Sequence, residues 1–170
     1  METNRANRGS GLRSGISAFR MPAEWEPHEA TWIGWPHNTM DWPGKMTPIQ
    51  WVYAEIVRKV VAGERVRILV NAKSHELKAR RALDRAGVDL QRVDFFRIPT
   101  NRGWTRDFGP IFVKRESPSS QVAIARFQFR AWARYPDWQL DNHIPERVAS
   151  TLKMPIVPVE LRGRGAVLEG

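Results

Sequence analysis

The sequence of 170 residues predicts a mixed α/β fold, and three observations predict it. Short apolar runs rich in β-branched and aromatic residues recur along the chain, each long enough for one buried strand. Between them lie longer segments whose apolar residues repeat at helical spacing. Gly, Pro, Asn and Ser gather at the junctions and supply starts and stops. A composition of 42% hydrophobic and 26% charged residues belongs to a folded protein rather than a disordered one.

Residues 1–20 hold few large apolar groups and are rich in Gly, Ser, Asn and Arg, which predicts a disordered basic tail; the folded part is expected over 21–170. Residues 30–35, between Pro27 and Pro36, read as a buried strand, and 37–45, with Asn38, Pro43 and Gly44, as a loop. Thr47 is the expected cap of a helix starting at Pro48, in which Ile49, Val52, Tyr53, Ile56, Val57 and Val60 share a face until Gly63. A strand at 65–70 follows, then a helix capped by Ser74 and closed by Gly87, then a strand at 93–98. Residues 104–110 read as a loop. Residues 111–114 and 121–129 predict a hairpin around the turn-rich Glu116-Ser117-Pro118-Ser119-Ser120. Asp141 or Asn142 opens a helix to about Leu152, and strands at 156–159 and 165–168 close the chain.

The net charge of +9 is spread thinly, with +3 of it in residues 1–20 and no run of five or six Lys or Arg anywhere. That distribution argues against nucleic acid as a partner. No apolar stretch approaches a membrane span, and the first twenty residues lack the apolar centre of a secretory signal, so a cytoplasmic location without membrane contact is expected. The absence of cysteine excludes disulfides, thiolate metal sites and a cysteine nucleophile within this sequence. His28, His37, His75 and His143 stand in separate segments without metal-ligand spacing. No Walker loop, no Gly-x-Gly-x-x-Gly and no Gly-x-Ser-x-Gly is present, which removes nucleotide binding and serine hydrolysis as leading readings.

Chemistry concentrates in Trp104-Thr105-Arg106-Asp107-Phe108-Gly109-Pro110. A carboxylate can accept two parallel hydrogen bonds from a guanidinium, and a nearby indole can offer its face to the same cation. A second carboxylate, Glu169, lies between Leu168 and Gly170. From the residues alone, Asp107 as a turn cap, Trp104 as a core anchor and Glu169 as a solvated side chain remain open beside the binding reading. Gly109 and Pro110 read as backbone constraints that end the loop.

Together with Met21-Pro22-Ala23-Glu24-Trp25-Glu26-Pro27-His28-Glu29-Ala30-Thr31-Trp32 and Val167-Leu168-Glu169-Gly170, the heptapeptide resembles the agmatine deiminase and bacterial, Porphyromonas-type, peptidyl-arginine deiminase family over residues 21–170. The resemblance implies a pentein-type propeller of ββαβ units, with about two to three of the five units in this chain. It implies that Asp107 and Glu169 hold the guanidinium of a small cationic substrate with Trp104 beside them, and that no metal or organic cofactor takes part. Phe129-Arg130-Ala131-Trp132 is similar to a Phe-Asn-Ala-Trp stretch of the family. Arg130 replaces the Asn, either to pair with a substrate carboxylate or as an outward-facing strand residue.

Family members are longer, and their nucleophilic Cys and catalytic His are expected beyond Gly170. The chain is therefore expected to be the inactive N-terminal portion of a C–N hydrolase. That enzyme would turn agmatine into N-carbamoylputrescine and ammonia, on the way to putrescine, or peptidyl-arginine into citrulline. A homo-oligomer or a complementing C-terminal chain is the expected partner. Alternatives of other classes are a catalytically silent agmatine- or arginine-binding module and a basic, Trp-rich binder of single-stranded nucleic acid.

Overall fold

The computed structural model describes residues 15–116, 118–131, 135–161 and 164–168. Its first half is a strand–helix–strand–helix–strand unit: β1 (Ala30–Gly34), α1 (Met46–Val60), β2 (Arg65–Leu69), α2 (Lys73–Arg85) and β3 (Val93–Phe96). The strands form a parallel sheet in the order β1-β2-β3, and each parallel step needs the helical crossover it has. Register sets Ile33 beside Ile68 and Ile68 beside Phe95.

Alternation along the strands divides the core. Val66, Ile68 and Val70 face the helices and pack with Ala54, Val57, Ala79 and Leu83, whereas Trp32, Leu69 and Phe96 face the other way. Each fully buried valine or leucine contributes about 1.5–3 kcal/mol, which outweighs the small differences in helix propensity. The expected caps are not used. Lys45 precedes α1 and Ala72 precedes α2, neither with a capping side chain, and Thr47 and Ser74 lie inside their helices. At α2 a local contact stands in place of the cap: the Asn71 N–H, just before the helix, donates to His75 Nδ1 of its first turn at 3.1 Å.

The second half follows the expected hairpin with a helix and a third strand. It comprises α3 (Thr105–Phe108), β4 (Ile111–Arg115), β5 (Gln121–Arg126), β6 (Gln128–Phe129), α4 (Gln139–Asn142), α5 (Ile144–Leu152) and β7 (Ile156–Pro158). β4 and β5 are antiparallel, and β7 returns parallel to β5 after α5, giving one ββαβ unit. β8 (Glu160–Leu161) and β9 (Arg164–Gly165) form a short antiparallel pair, and β10 (Val167–Leu168) lies parallel to β6. The expected strand over 121–129 divides at Phe127, because Arg126 pairs with Pro158 while Gln128 pairs with Val167 of another sheet. The expected helix from Asp141 starts earlier and breaks at His143, just before Pro145, which has no N–H to continue a ladder. The expected loop at 104–110 contains a helical turn, α3.

Leu69, Phe108, Ile124, Phe129, Ile144 and Val148 form the core between the two halves. A third cluster, Val113, Ala123, Ala125 and Val157, lies on the outer face of the second sheet, and Ile16 and Phe19 cover it. The expected disordered tail of residues 1–20 is therefore corrected at its end: Gly15–Ala18 form a 3-10 turn, and Arg20 exchanges backbone hydrogen bonds of 2.8 Å with Lys114 of β4. Ile16 and Phe19, three residues apart, bury together and anchor the segment. Residues 1–14 lie outside the described residues.

Candidate functional site

The carboxyl ends of β1, β2 and β3 open into three loops that meet at one edge of the sheet, the place where open parallel sheets form crevices. Side chains of the first two loops tie down the third. His37 bridges the carbonyl oxygens of Trp35 and Thr100 at 3.1 and 3.0 Å. The Asn71 amide donates to Thr100 O and its Oδ1 accepts from Thr100 N–H, both at 3.1 Å. Asn38 Nδ2 donates to Asn101 O at 3.0 Å. Backbone approach completes the clamp: a Cβ on Gly34 would come within 3.0 Å of Gly103 O, so β1 and the segment before Trp104 pack without side chains between them.

Arg102 occupies the middle of this region and is 2% exposed. Its guanidinium pairs with Asp41 on one edge and with Asp137 at 2.6 Å on another, and lies 4.2 Å over the Tyr135 ring and 5.8 Å from that of Trp104. Burial acts to lower its pKa, and the hydrogen bonds to Asp137 and Asp41 more than offset that, so it stays charged.

Asp141 is fully buried. Its Oδ1 accepts the N–H groups of Asn101 at 2.7 Å and Arg102 at 3.4 Å, while Oδ2 is buried with no partner. Burial pushes its pKa up to about 7 against the pull of those two N–H groups. The chain at 101–102 is thus held from the side of α4, just before it reaches Trp104.

Trp104 immediately precedes α3, and its carbonyl accepts from the Asp107 N–H at 3.0 Å. Its half-buried indole meets Tyr135 edge-on at 6.2 Å. One helical turn later, Asp107 is half-buried, and its carboxylate makes no side-chain hydrogen bond or ion pair among the described residues. Burial raises its pKa, only partly opposed by the neighbouring Arg106, whose guanidinium points to Glu24 at 2.8 Å. The turn ends at Gly109, where a Cβ would overlap the Thr105 carbonyl oxygen. Asp107, Phe108, Phe129, Asp141 and Asn142 line a common cavity of about 10 Å³, room for one water at most.

The structure thus brings Trp104 and Asp107 together on one turn. It does not bring Arg130 to them: Arg130 is exposed, with its guanidinium 3.3 Å from Gln128 Oε1. Glu169 and Trp132 lie outside the described residues, but β10 brings Leu168 into register with Phe129, whose ring is 5.9 Å from that of Phe108. His28 pairs with Glu64 at the surface. Among the described residues no group of three or more His, Asp or Glu is arranged to hold a metal ion, and no helix is long and apolar enough to cross a membrane. Sequence reasoning missed Asp41, Arg102, Asp137 and the role of Asp141. They come from three loops and from α4 with no common spacing, and nothing in the sequence signalled that they would meet.

Comparison with known proteins finds relatives of this chain. The agmatine deiminase of Medicago truncatula is 30% identical over 148 residues, 81% of this chain and 38% of that protein. That of Pseudomonas aeruginosa (strain LESB58) is 32% identical over 135 residues, 76% of this chain and 34% of that protein. The chain therefore spans little more than a third of the length of these curated relatives. Among solved structures, an Enterococcus faecalis agmatine deiminase superposes with a TM-score of 0.71 at 22% identity, covering 82% of this chain and 37% of that one. A cysteine-to-serine form of C. jejuni agmatine deiminase with substrate bound gives 0.68 at 25% identity, covering 85% and 41%. The fold is pentein-type and only part of it is present in this chain. With the family match running over residues 20–170, the chain belongs to the Porphyromonas-type peptidyl-arginine deiminase family.

Proposed function

We propose that this chain is the guanidinium-binding, N-terminal portion of a deiminase that hydrolyses agmatine or the side chain of peptidyl-arginine. The observation that carries the reading is Asp107: a half-buried carboxylate with a raised pKa and no side-chain partner, one helical turn from the Trp104 indole. A planar cation would relieve its desolvation through two parallel hydrogen bonds and gain the aromatic face. Glu169 is the second carboxylate of the proposal, supported by the pairing of its neighbour Leu168 with Phe129 beside the Asp107 turn. Arg130, exposed and not brought to Trp104 and Asp107, is left out of the proposed site, so the reading does not choose between agmatine and an arginine.

In the reaction proposed for the whole enzyme, a thiolate attacks the guanidinium carbon and ammonia leaves. Water then hydrolyses the amidino intermediate while a histidine moves the protons. This chain has no cysteine, so its own part is to bind, orient and hold charge, and the nucleophile comes from outside it. The cysteine-to-serine form in which C. jejuni agmatine deiminase was solved with substrate supports a thiol in that role. The proposal extends to a deiminase domain over residues 21–170, a cytoplasmic setting, a role in putrescine formation, self-association, and a complementing C-terminal chain that supplies the nucleophile this chain lacks.

The test is calorimetric titration of the chain with agmatine and with an arginine-containing peptide as pH is varied. Binding that weakens as pH falls into the range where Asp107 takes up its proton, and disappears in Asp107→Asn, is the expected result. Equal binding by the two proteins would sink the reading.

A further inference from the structure

A cleft of about 520 Å³ opens between the outer faces of α1 and α2, lined by none of the residues around Asp107. Ala54 and Ala82 leave it deep where the helices meet, because neither side chain fills the seam. On the α1 side stands Trp51, 74% exposed, an unusual cost for the largest apolar side chain. On the α2 side stand Lys78, Arg81 and Arg85. Their spacing of three and then four residues sets them on one face, along about 10 Å of helix axis.

Neighbouring charges are used differently. Arg80 of the same helix pairs with Glu76 at 2.8 Å and lies 4.2 Å over the Phe95 ring. Glu55, the acidic side chain of the cleft, is engaged by Arg58 at 2.8 Å. Lys78, Arg81 and Arg85 have no acidic partner among the described residues. The cleft therefore combines a row of uncompensated positive charge with an unburied aromatic face.

We propose that this α1–α2 cleft binds a nucleoside di- or triphosphate, with the base stacked on Trp51 and the phosphates along Lys78, Arg81 and Arg85. Its volume falls within the roughly 300–1,000 Å³ of small-molecule sites. Every nucleobase has a π face for the indole, and guanidinium forks match phosphate oxygens. Both walls are helices, so no strand edge is offered to an extended peptide. Side chains rather than backbone N–H groups take the phosphates, so no glycine-rich loop marks the site in the sequence. A guanidine substrate is repelled by the same three charges, which separates this site from the one at Asp107.

The test is calorimetric titration of the purified chain at low ionic strength with ATP, tripolyphosphate and adenosine. ATP is expected to bind saturably, tripolyphosphate more weakly and adenosine not at all. Changing Arg81→Glu and Arg85→Glu together should weaken ATP at least about tenfold, the loss of two charge-assisted contacts. Trp51→Ala should bring ATP down to the level of tripolyphosphate without altering tripolyphosphate itself. Lys59→Glu, an exposed charge outside the cleft, should change neither. Should a variant fail to fold, the assigned Trp51 indole resonance of the unaltered chain gives the same reading, and ATP is expected to shift it. Absence of saturable ATP binding, an unmoved indole resonance, or equal losses in Lys59→Glu and the cleft variants would overturn the proposal. So would binding of a single-stranded oligonucleotide at the cleft with no response to ATP.

Discussion

Around Arg102, two carboxylates and a tyrosine ring close on a guanidinium that the chain supplies itself; around Asp107, a half-buried carboxylate stands one turn from Trp104 without a side-chain partner. The chemistry on offer is the same in both places, an acidic edge and an aromatic face. In the first, the cation and anions offset each other's loss of water, and the result is a rigid junction between three loops. In the second the loss is only partly offset, by Arg106, and appears as a raised pKa. Proteins keep such local costs where a ligand relieves them.

The largest expected effect tests the filled side of this comparison. Arg102→Ala leaves Asp41 buried and unpaired, and should cost about 3–5 kcal/mol in urea unfolding. Arg102→Lys should recover only part, because an ammonium cannot serve two carboxylates in a fork. A loss below about 1 kcal/mol would mean that the junction is not held by charge. On the open side, Asp107→Asn should leave the urea midpoint almost unchanged and weaken agmatine binding about ten- to a hundredfold, the worth of a charge-assisted hydrogen bond. If stability drops instead, Asp107 belongs with Arg102 as a structural group.

Asp141 sharpens the boundary between the two. Asp141→Ala strips the acceptor from the Asn101 and Arg102 N–H groups and should cost about 1–3 kcal/mol. Its pH signature has a definite sign. With its pKa raised from 3.8 to about 7, the folded chain keeps a proton that the unfolded chain has lost, so this contribution is present at the acid end and is lost as pH rises toward 7. His75, pushed down from 6.5 to about 4 mainly by burial, contributes above the unfolded value and loses that contribution as pH falls. Stability of the parent minus that of Asp141→Asn should therefore fall with rising pH across this window, and a flat difference would show that Oδ2 is hydrated. The smallest effect is expected at the exposed Arg58–Glu55 pair, where Glu55→Gln should not move the midpoint.

Much of the fold was legible because strands and helices announce themselves by period. The strand residues Val66, Ile68 and Val70 and the helix residues Tyr53, Val57 and Val60 reach the core as expected, whereas Val52 and Ile56, expected on the same helix face, stand exposed. Helix starts were misjudged: Thr47 and Ser74 satisfy a local capping rule, yet α1 and α2 begin before them, after Lys45 and Ala72, without a capping side chain. The Trp104–Asp107 pair was legible as a motif. The Arg102 junction was not, because Asp41, Arg102 and Asp137 become neighbours only after two crossovers are made, and no spacing in the sequence encodes that meeting.

The two backbone hydrogen bonds between Arg20 and Lys114 bear on how this molecule behaves in company. β4 is the outer strand of its sheet, and an uncovered outer strand is a template onto which other chains can stack. Here the template is occupied by the chain's own leading segment, pinned by Ile16 and Phe19. Proteolytic trimming up to Arg20 is expected to uncover this edge of β4 for pairing with another chain.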